Sequence, residues 1–232
     1  MSDIDRIKQK ILIASRVLYA PNGITDVQAG FSGHVSRRLP GRGSYIVAGH
    51  THVEGRSTLG DVGYGDLVVV DMETGARLEG SQPLLGENVI HTGVYRARED
   101  VNSVIHVHPF WCTVWSLVET PTLGLPVFFT GRSQVESEED GEALGRALGD
   151  KSAILLPGHG IVTVGETVEQ ACILTASLNE QAMKLFHASL LGKVPSKYVE
   201  LLMTPQKASI ESDSWLWYES KLREKGLYPE LP

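Results

Sequence analysis

The segment Ser-Val-Ile-His-Val-His at 103–108 constrains the fold of this chain more than any other. Its β-branched residues predict a buried strand, and Pro109 ends that strand. Because side chains alternate along a strand, His106 and His108 project from the same face, about 7 Å apart. A third histidine, His159, stands between two glycines in a turn that joins two further predicted strands.

Three histidines held at strand ends are the ligand set that a three-histidine metal site requires. The strand supplies rigidity, and the glycines beside His159 let its backbone approach closely. We therefore predict a metal site formed by His106, His108 and His159, the alternative being a polar histidine pair that binds no ion. A second pair, His50 and His52, lies in a glycine-rich loop without a third partner, and we interpret it as part of that loop.

Glu87 adds a carboxylate at the start of an amphipathic helix that leads into the histidine strand. From there it can reach a metal held by the next strand, as a fourth ligand or as a general acid/base. An acidic residue in the first helical turn also interacts favourably with the helix dipole, whether or not it has a function. A purely structural role for Glu87 therefore stays open. His91 shares a helix face with Glu87, and we interpret it as a packing or hydrogen-bonding residue.

The rest of the chain alternates predicted helices and strands without an internal repeat or a linker. We predict one domain over 1–232, with a C-terminal tail at 192–232 and loop over most of 24–66. The predicted helices lie at 3–20, 87–100, 110–118, 136–149, 168–191 and 212–225. The predicted strands lie at 45–48, 66–71, 103–108, 126–129, 153–156 and 161–164.

Net charge and cysteine content bear on partners and location. A formal net charge of -7 gives no general attraction to nucleic acid or to an anionic membrane surface. No segment approaches the roughly 18 apolar residues of a membrane-spanning helix, and no signal peptide is visible. Cys112 and Cys172 lie in separate apolar runs, which predicts reduced thiols in the core. We expect a cytoplasmic protein that binds a small molecule, without nucleic-acid or membrane partners.

Three motifs together resemble the class II aldolase/adducin family in their order and separation, over about residues 5–195. The first motif, at 86–109, runs from Gly-Glu-Asn-Val-Ile-His to His-Val-His-Pro. The second, at 156–171, runs from Leu-Pro-Gly-His-Gly to Val-Glu-Gln-Ala, and the third, at 178–182, is Leu-Asn-Glu-Gln-Ala. The resemblance implies an α/β fold, a three-layer α/β/α arrangement with a central, mainly antiparallel sheet. It also implies a divalent metal on the three histidines, Glu87 as acid/base or fourth ligand, and a homotetramer with active sites between subunits.

Two departures from the family's phosphate-using members bear on the substrate. Those members carry Gly-Asn-x-Ser near the N-terminus and Ser-Ser-Glu at the catalytic acid. Here 33–36 reads Gly-His-Val-Ser, and 84–87 reads Leu-Leu-Gly-Glu. Leucines cannot donate hydrogen bonds to a phosphate, and burying that charge beside them is unfavourable. The sequence therefore disfavours a sugar phosphate.

A flatter, non-phosphorylated carboxylic acid suits the changed residues better. Arginine pairs with a carboxylate through two hydrogen bonds, and the leucines offer an apolar wall. The alternatives are that Arg37, with its neighbour Arg38, is a solvated loop residue and that the backbone satisfies His34. The predicted substrate-binding residues are His34, Ser36, Arg37, Leu84 and Leu85.

The Gly-His-x-Ser-x-Arg pattern resembles the family's decarboxylase branch, which acts on dihydroxyphthalate-type aromatic acids or on carboxylated ring-cleavage products. We therefore expect a metal-dependent carbon–carbon lyase of aromatic catabolism that releases CO₂, with Glu87 as the acid/base. By resemblance to the aldolases, Tyr218 is a second catalytic candidate that reaches the site of a neighbouring subunit, the alternative being core or interface packing. We expect zinc, with manganese, cobalt and iron also compatible with these ligands.

Two other functions remain open at this point. One is a class II aldolase that uses the same residues to cleave a non-phosphorylated hydroxy-keto acid or sugar acid. The other is a non-catalytic, adducin-like structural protein, which the retained histidines and Glu87 argue against.

Overall fold

A seven-stranded antiparallel sheet forms the middle layer of the molecule. The computed structural model describes residues 2–27, 32–41, 43–49, 59–118, 124–132, 134–202 and 208–230. The strands follow the order β4-β3-β2-β1-β5-β7-β6 across the sheet. Their bounds are β1 Gly33–Leu39, β2 Ser44–Ala48, β3 Leu67–Asp71, β4 Arg77–Glu79, β5 Ser103–Val107, β6 Ala153–Leu156 and β7 Gly160–Gly165.

Helices cover both faces of this sheet. Helices α1, α3, α5 and α7 belong to one outer layer, and α2 and α4 form the other. The predicted three-layer α/β/α architecture is therefore confirmed. The helix bounds are α1 Asp3–Leu18, α2 Asn88–Ala97, α3 Phe110–Ser116, α4 Glu138–Leu148, α5 Val168–Leu191, α6 Ser196–Leu202 and α7 Ala208–Glu224.

The alternation of β5 separates two hydrophobic cores. Ile105 and Val107 belong to the core under α1 and α5, whereas Val104 belongs to the core under α2 and α4. His106 therefore projects from the α2 face of the sheet. Its neighbour across the sheet, His34 of β1, is in direct register with it and points to the same face. The site thus lies between the sheet and α2.

Several helix ends follow from their sequence. Ser2 caps α1, and its hydroxyl accepts from the Asp5 backbone N–H while the Asp5 carboxylate accepts from the Ser2 backbone N–H. Thr167 caps α5 by accepting from the Gln170 backbone N–H. These side chains satisfy amide groups that have no partner within the helix.

The sequence-based prediction differs from the structure for some strands and for one helix. The stretch 33–39, expected to be loop, is the central strand β1, and β4 and α6 were not predicted. The strand predicted at 126–129 is wrong. That stretch forms only an isolated parallel bridge between Val127 and Leu155, supported by two backbone hydrogen bonds to Leu155. Pro126 lacks the N–H that a longer ladder needs.

Helices α2 and α4 pack backbone to backbone through glycines. A side chain on Gly93 would collide with the Gly141 carbonyl, and one on Gly145 would collide with the Gly93 carbonyl. This close approach holds α2, and with it the residue that precedes α2, against the sheet. Both cysteines are free and buried, as predicted. Among the described residues, no helix is long and apolar enough to cross a membrane.

Candidate metal centre

Four side chains from three parts of the fold meet where β5 ends and β7 begins. His106 lies in β5, His108 follows that strand, and His159 precedes β7. Glu87 is the N-cap residue of α2. One ligand atom from each of Glu87, His106, His108 and His159 lies within 4.8 Å of all the others. The structure therefore brings together the four residues that the sequence singled out for metal binding.

The three imidazoles meet through their Nε2 atoms. Nε2 of His108 lies 3.2 Å from Nε2 of His106 and 3.1 Å from Nε2 of His159. Nδ1 of His106 contacts the Ile161 carbonyl at 2.9 Å. Because a carbonyl only accepts, this Nδ1 carries the proton and leaves the His106 Nε2 lone pair directed into the cluster. Nδ1 of His108 contacts the Ser32 hydroxyl at 3.2 Å.

Converging lone pairs of this kind fit a cation. Two nitrogens that each bind a zinc ion at about 2 Å with tetrahedral angles stand about 3.3 Å apart. The observed separations of 3.1 and 3.2 Å agree with that spacing. Without a cation or a shared proton, lone pairs so close together repel each other. The donor set can therefore hold a divalent ion.

Glu87 supplies an oxygen that also needs a partner. Its Oε1 is buried and accepts no hydrogen bond from the described part of the chain, although it lies 3.2 Å from Nε2 of His159. Its Oε2 lies 3.5 Å from Nε2 of His106 and 3.9 Å from Nε2 of His34. A buried, unpaired carboxylate oxygen is unfavourable, and a cation at the centre would relieve it.

The protonation states suit metal binding at neutral pH. Burial, with the neighbouring imidazoles, lowers the pKa of His108 to about 3 and that of His159 to about 4. Burial raises the pKa of Glu87, but the neighbouring side chains of His106 and His34 outweigh this effect, and the net direction is downward. His108 and His159 thus present neutral imidazoles beside an ionised carboxylate, the forms that bind metals.

A hydrogen-bonded group extends from this centre along the α2 face. Nδ1 of His34 lies 2.6 Å from Nε2 of His91, and Nδ1 of His91 lies 2.6 Å from the Ser36 hydroxyl. The Ser36 hydroxyl lies 2.7 Å from the Tyr95 hydroxyl. His34, Ser36, His91 and Tyr95 are each no more than 3% exposed. Burial lowers the pKa of both His34 and His91.

Matching periodicities produce this group. Glu87, His91 and Tyr95 follow one another at intervals of four residues, about 6 Å along a helix. His34 and Ser36 are two residues apart, about 6.7 Å along β1. The two rows therefore stay in register where α2 packs against β1. The four-residue spacing in α2 was the available signal for His91 and Tyr95, neither of which was predicted to take part in the site.

The predicted substrate-binding residues fall into different places. His34 lies beside Glu87, as expected for a site residue. Ser36 is fully buried behind His34, so the structure does not place its hydroxyl where a substrate can reach it. Arg37 points to the opposite face of β1, about 10 Å along the strand from His34, and donates to the Glu166 carbonyl at 2.9 Å. A carboxylate bound at the cluster is therefore out of reach of Arg37.

Leu84 and Leu85 lie in the turn that leads to Glu87. Leu84 packs against the core under α2, and Leu85 is half-buried, with its carbonyl accepting from the Asn88 N–H at 3.0 Å. This turn positions Glu87 and carries no hydroxyl side chain at 84–86. The two positions that hold serine in the phosphate-using Ser-Ser-Glu pattern are Leu85 and Gly86 here.

Tyr218 is not part of the cluster within one chain. It lies in α7 and packs against the core under α1 and α5, on the other face of the sheet. Burial raises its pKa. A role in a neighbouring subunit's site stays a prediction. His50 and His52 lie outside the described residues.

A shallow cavity borders His159 and was not predicted. Phe129, Arg132 and Pro157 line it together with His159. Phe129 is 65% exposed, and the Arg132 guanidinium contacts the Asp140 carboxylate. An exposed aromatic ring and an arginine thus line a cavity that borders His159. The sequence gives no signal for a site here, because Phe129 falls in the strand predicted at 126–129 and Arg132 follows no strand or helix pattern.

Comparison with known families agrees with this geometry. The family described as the class II aldolase and adducin N-terminal domain matches residues 9–185. The chain therefore belongs to the class II aldolase and adducin family.

Relatives in this family carry two kinds of name. The decarboxylase NovR of Streptomyces niveus is 35% identical over 120 residues, which are 46% of this chain and 44% of NovR, so the match spans less than half of that protein. The 3,4-dihydroxyphthalate decarboxylase of Arthrobacter keyseri is 29% identical over 75% of each chain. An L-fuculose phosphate aldolase of Methanococcus maripaludis is 30% identical over 59% of this chain and 78% of the aldolase.

Solved structures agree in fold. An aldolase II superfamily protein from Pseudomonas syringae superposes with a TM-score of 0.77 and 20% identity, over 99% of this chain and 98% of that one. At this identity the likeness supports the fold alone.

Proposed function

We propose that this protein is a metal-dependent carboxy-lyase acting on a non-phosphorylated, hydroxylated aromatic acid or a carboxylated ring-cleavage product. The observation that carries the lyase assignment is the convergence of Glu87 with His106, His108 and His159. Two features support the choice of an aromatic acid. Leu85 and Gly86 stand where the phosphate-using pattern has hydroxyl donors, with Leu84 beside them, and Phe129 offers an exposed ring beside His159.

Glu87 moves the proton in the proposed reaction. The ionised carboxylate accepts the proton of a substrate hydroxyl. The bond to the substrate carboxylate then breaks, CO₂ leaves, and the electron pair stays on the substrate carbon. Glu87 returns its proton to that carbon, and a proton from water restores the hydroxyl. A divalent ion held by the three histidines would supply positive charge near the atoms that gain electrons.

Other residues orient the substrate. The apolar side chains of Leu84 and Leu85 exclude water next to Glu87, and Phe129 packs against the substrate ring. Arg132 lines the cavity beside His159 and takes over the carboxylate-binding role that the sequence assigned to Arg37. Its planar guanidinium suits a carboxylate. On binding, the substrate carboxylate would replace the Asp140 carboxylate as the partner of Arg132.

Zinc is the metal we propose, because three imidazoles and one carboxylate match its usual ligands. Manganese, cobalt and iron are compatible with the same donors. We further propose a cytoplasmic homotetramer formed by a single-domain chain of residues 1–232. The free thiols of Cys112 and Cys172 support a reducing compartment. Exposed apolar side chains support self-association: Phe110, Leu190, Leu191, Leu216 and Trp217.

A second candidate function is a class II aldolase that cleaves a hydroxy-keto acid or a sugar acid. The L-fuculose phosphate aldolase relatives favour it, and it would use the same four residues. A non-catalytic role, as in adducin-like structural proteins, has no specific observation in its favour, because the complete metal-binding set is retained.

The test is a product assay on the zinc-loaded protein with 3,4-dihydroxyphthalate and other dihydroxylated aromatic acids. We expect release of one CO₂ per substrate, and loss of that release with a chelator. Glu87→Gln should retain zinc and lower the rate by about 10²–10⁴-fold, the range for a general acid/base. Glu180→Gln, on the exposed side of α5, is the matched control and should leave the rate unchanged.

A different product would overturn the proposal. Formation of an aldehyde without CO₂, from a hydroxy-keto acid or sugar acid, would establish the aldolase alternative. Unchanged CO₂ release by Glu87→Gln would contradict the role of Glu87 even if the reaction class is right. The role of Arg132 is tested by Arg132→Gln, which should raise KM about tenfold, whereas Arg146→Gln on the exposed side of α4 should not.

A further inference from the structure

The hydrogen-bonded group behind the metal centre has a direction. It contains four side chains in sequence from the protein interior to the site: Tyr95, Ser36, His91 and His34. The contacts along this chain measure 2.7, 2.6 and 2.6 Å. The competing contacts are longer, 3.4 Å from the Tyr95 hydroxyl to the Asn102 carbonyl and 3.3 Å from the Ser36 hydroxyl to the Val104 carbonyl.

Two neutral arrangements of protons satisfy these contacts. In one, Tyr95 donates to Ser36, Ser36 to Nδ1 of His91, and Nε2–H of His91 to Nδ1 of His34. His34 then carries its proton on Nε2. In the other, the bonds between the histidines and Ser36 are reversed, and His34 presents a bare Nε2 to the site.

The charge of Glu87 selects between the two arrangements. Nε2 of His34 lies 3.9 Å from Oε2 of Glu87. A bare nitrogen at that distance would place a lone pair against a carboxylate, whereas an N–H there is attracted to it. Aligned donors along a buried chain also polarise and strengthen one another. Both effects favour the arrangement in which every donor points toward Glu87.

We propose that Tyr95, Ser36 and His91 are positioning residues that hold His34 as a neutral Nε2–H donor beside Glu87. His34 then donates a hydrogen bond to the substrate oxygen that gains negative charge, a role that rests on the proposed lyase function. The orientation of His34 itself does not depend on which reaction the site catalyses. His91 and Tyr95 thus have a function beyond core packing, which is to orient His34.

The direct test is nitrogen NMR of the zinc-loaded protein with ¹⁵N-labelled histidine. The chemical shifts of the two ring nitrogens distinguish a protonated from an unprotonated nitrogen, and single His→Gln variants assign the signals. We expect protons on Nε2 of both His34 and His91. A proton on Nδ1 of His34, or on both of its nitrogens, would overturn the proposal. This measurement gives its answer whether or not the protein releases CO₂.

A matched pair of tyrosine variants separates positioning from packing. Tyr45 is buried beside Tyr95. Its hydroxyl lies 2.7 Å from the Thr92 hydroxyl, which is not part of the hydrogen-bonded group. Tyr95→Phe and Tyr45→Phe therefore each remove one buried hydroxyl hydrogen bond and should lower thermal stability alike. Only Tyr95→Phe should lower kcat, by about five- to tenfold, as expected for one weakened hydrogen bond. KM and zinc content should stay unchanged.

Variants at His91 provide a second arm. His91→Phe removes the donor to His34 and should lower kcat about a hundredfold. His91→Gln places an amide N–H where Nε2–H lies, and should recover most of that loss. Equal kcat in the Tyr45 and Tyr95 variants, or equal loss in both His91 variants, would contradict positioning. If the wild-type protein turns over none of the test acids, the proposed function fails, and the nitrogen spectra alone decide the tautomer.

Discussion

The far nitrogens of the imidazoles determine how the near nitrogens face the centre. Nδ1 of His106 donates to the Ile161 carbonyl, and Nδ1 of His108 contacts the Ser32 hydroxyl. Partners of this kind orient metal-binding histidines and set their tautomers. At the residue scale, the site therefore depends on groups that never touch the ion.

Ser32→Ala should weaken zinc binding by about tenfold, because loss of such a partner typically costs 10- to 100-fold in affinity. The measurement is competition with a chromogenic chelator at pH 7. Ser189→Ala is the control, since the Ser189 hydroxyl bonds only to the Phe186 carbonyl on α5 among the contacts described. Equal affinity in Ser32→Ala and the wild-type protein would contradict the role of this contact.

The lowered pKa of His159 predicts an acid-sensitive metal-free protein. Its pKa is about 4 in the folded chain, against an ordinary value of about 6.5. Between those values the unfolded chain binds a proton that the folded chain excludes, so the free energy of unfolding falls as the pH is lowered. Above about pH 6.5 this dependence vanishes.

Urea unfolding of metal-free protein between pH 7 and pH 4 tests this linkage. His159→Gln should flatten the dependence, with up to about one proton fewer taken up on unfolding. His187→Gln, an exposed residue of α5, should leave it as in the wild-type protein. A wild-type stability that rises toward pH 4 would show that the sign is wrong.

Residue types and spacing were enough to find Glu87, His106, His108 and His159 in the sequence. They are not enough for Arg37, because the sequence predicts loop over 33–39 and therefore does not indicate which face of the sheet its side chain occupies. His91, Tyr95 and Arg132 depend on partners from other elements. Local sequence does not encode which residue of a distant strand lies opposite a helix face.

At the scale of elements, β1 shows why a polar strand escapes prediction. His34, Ser36 and Arg38 occupy its α2 face, where hydrophobic residues would mark an ordinary buried strand. Their polarity is satisfied by α2 and β5, as in the bonds from the Arg38 guanidinium to the Tyr95 and Val101 carbonyls. The strands and helices with apolar periodicity, β3, β5, β6, β7 and α5, were found with small shifts at their ends.

Gly93→Ala should separate α2 from α4, because the new methyl group would meet the Gly141 carbonyl. We expect a loss of about 1–3 kcal/mol in the free energy of unfolding, as for overpacking in a core. Activity should fall as well, since Glu87 and His91 move with α2. Urea denaturation and the CO₂ assay measure the two effects.

Gly65→Ala is the matched control for that change. Its position has no neighbouring atom within 4 Å of an added Cβ, so the free energy of unfolding should change by less than about 0.5 kcal/mol. If Gly93→Ala is equally harmless, the close packing of α2 on α4 does not hold the site in place.

At the scale of the whole molecule, the sheet joins residues that are far apart in sequence. Glu87 and His159 approach within 3.2 Å because β5 and β7 pair and α2 packs over them. A bound ion would tie these elements together in the folded chain only. Metal binding should therefore stabilise the whole fold, in proportion to affinity and concentration.

Zinc at a hundredfold excess over its dissociation constant should raise the free energy of unfolding by about 2.7 kcal/mol. Thermal unfolding with increasing zinc measures this shift. His108→Ala should abolish most of it, whereas His187→Ala should preserve it. A shift of the same size in both variants would mean that zinc binds elsewhere.

X-ray diffraction at the zinc absorption edge, on crystals of the zinc-loaded protein, shows where the ion binds. We predict one anomalous peak per chain, within bonding distance of Nε2 of His106, His108 and His159. A peak at any other position, with the four side chains still gathered and no scatterer among them, would contradict it.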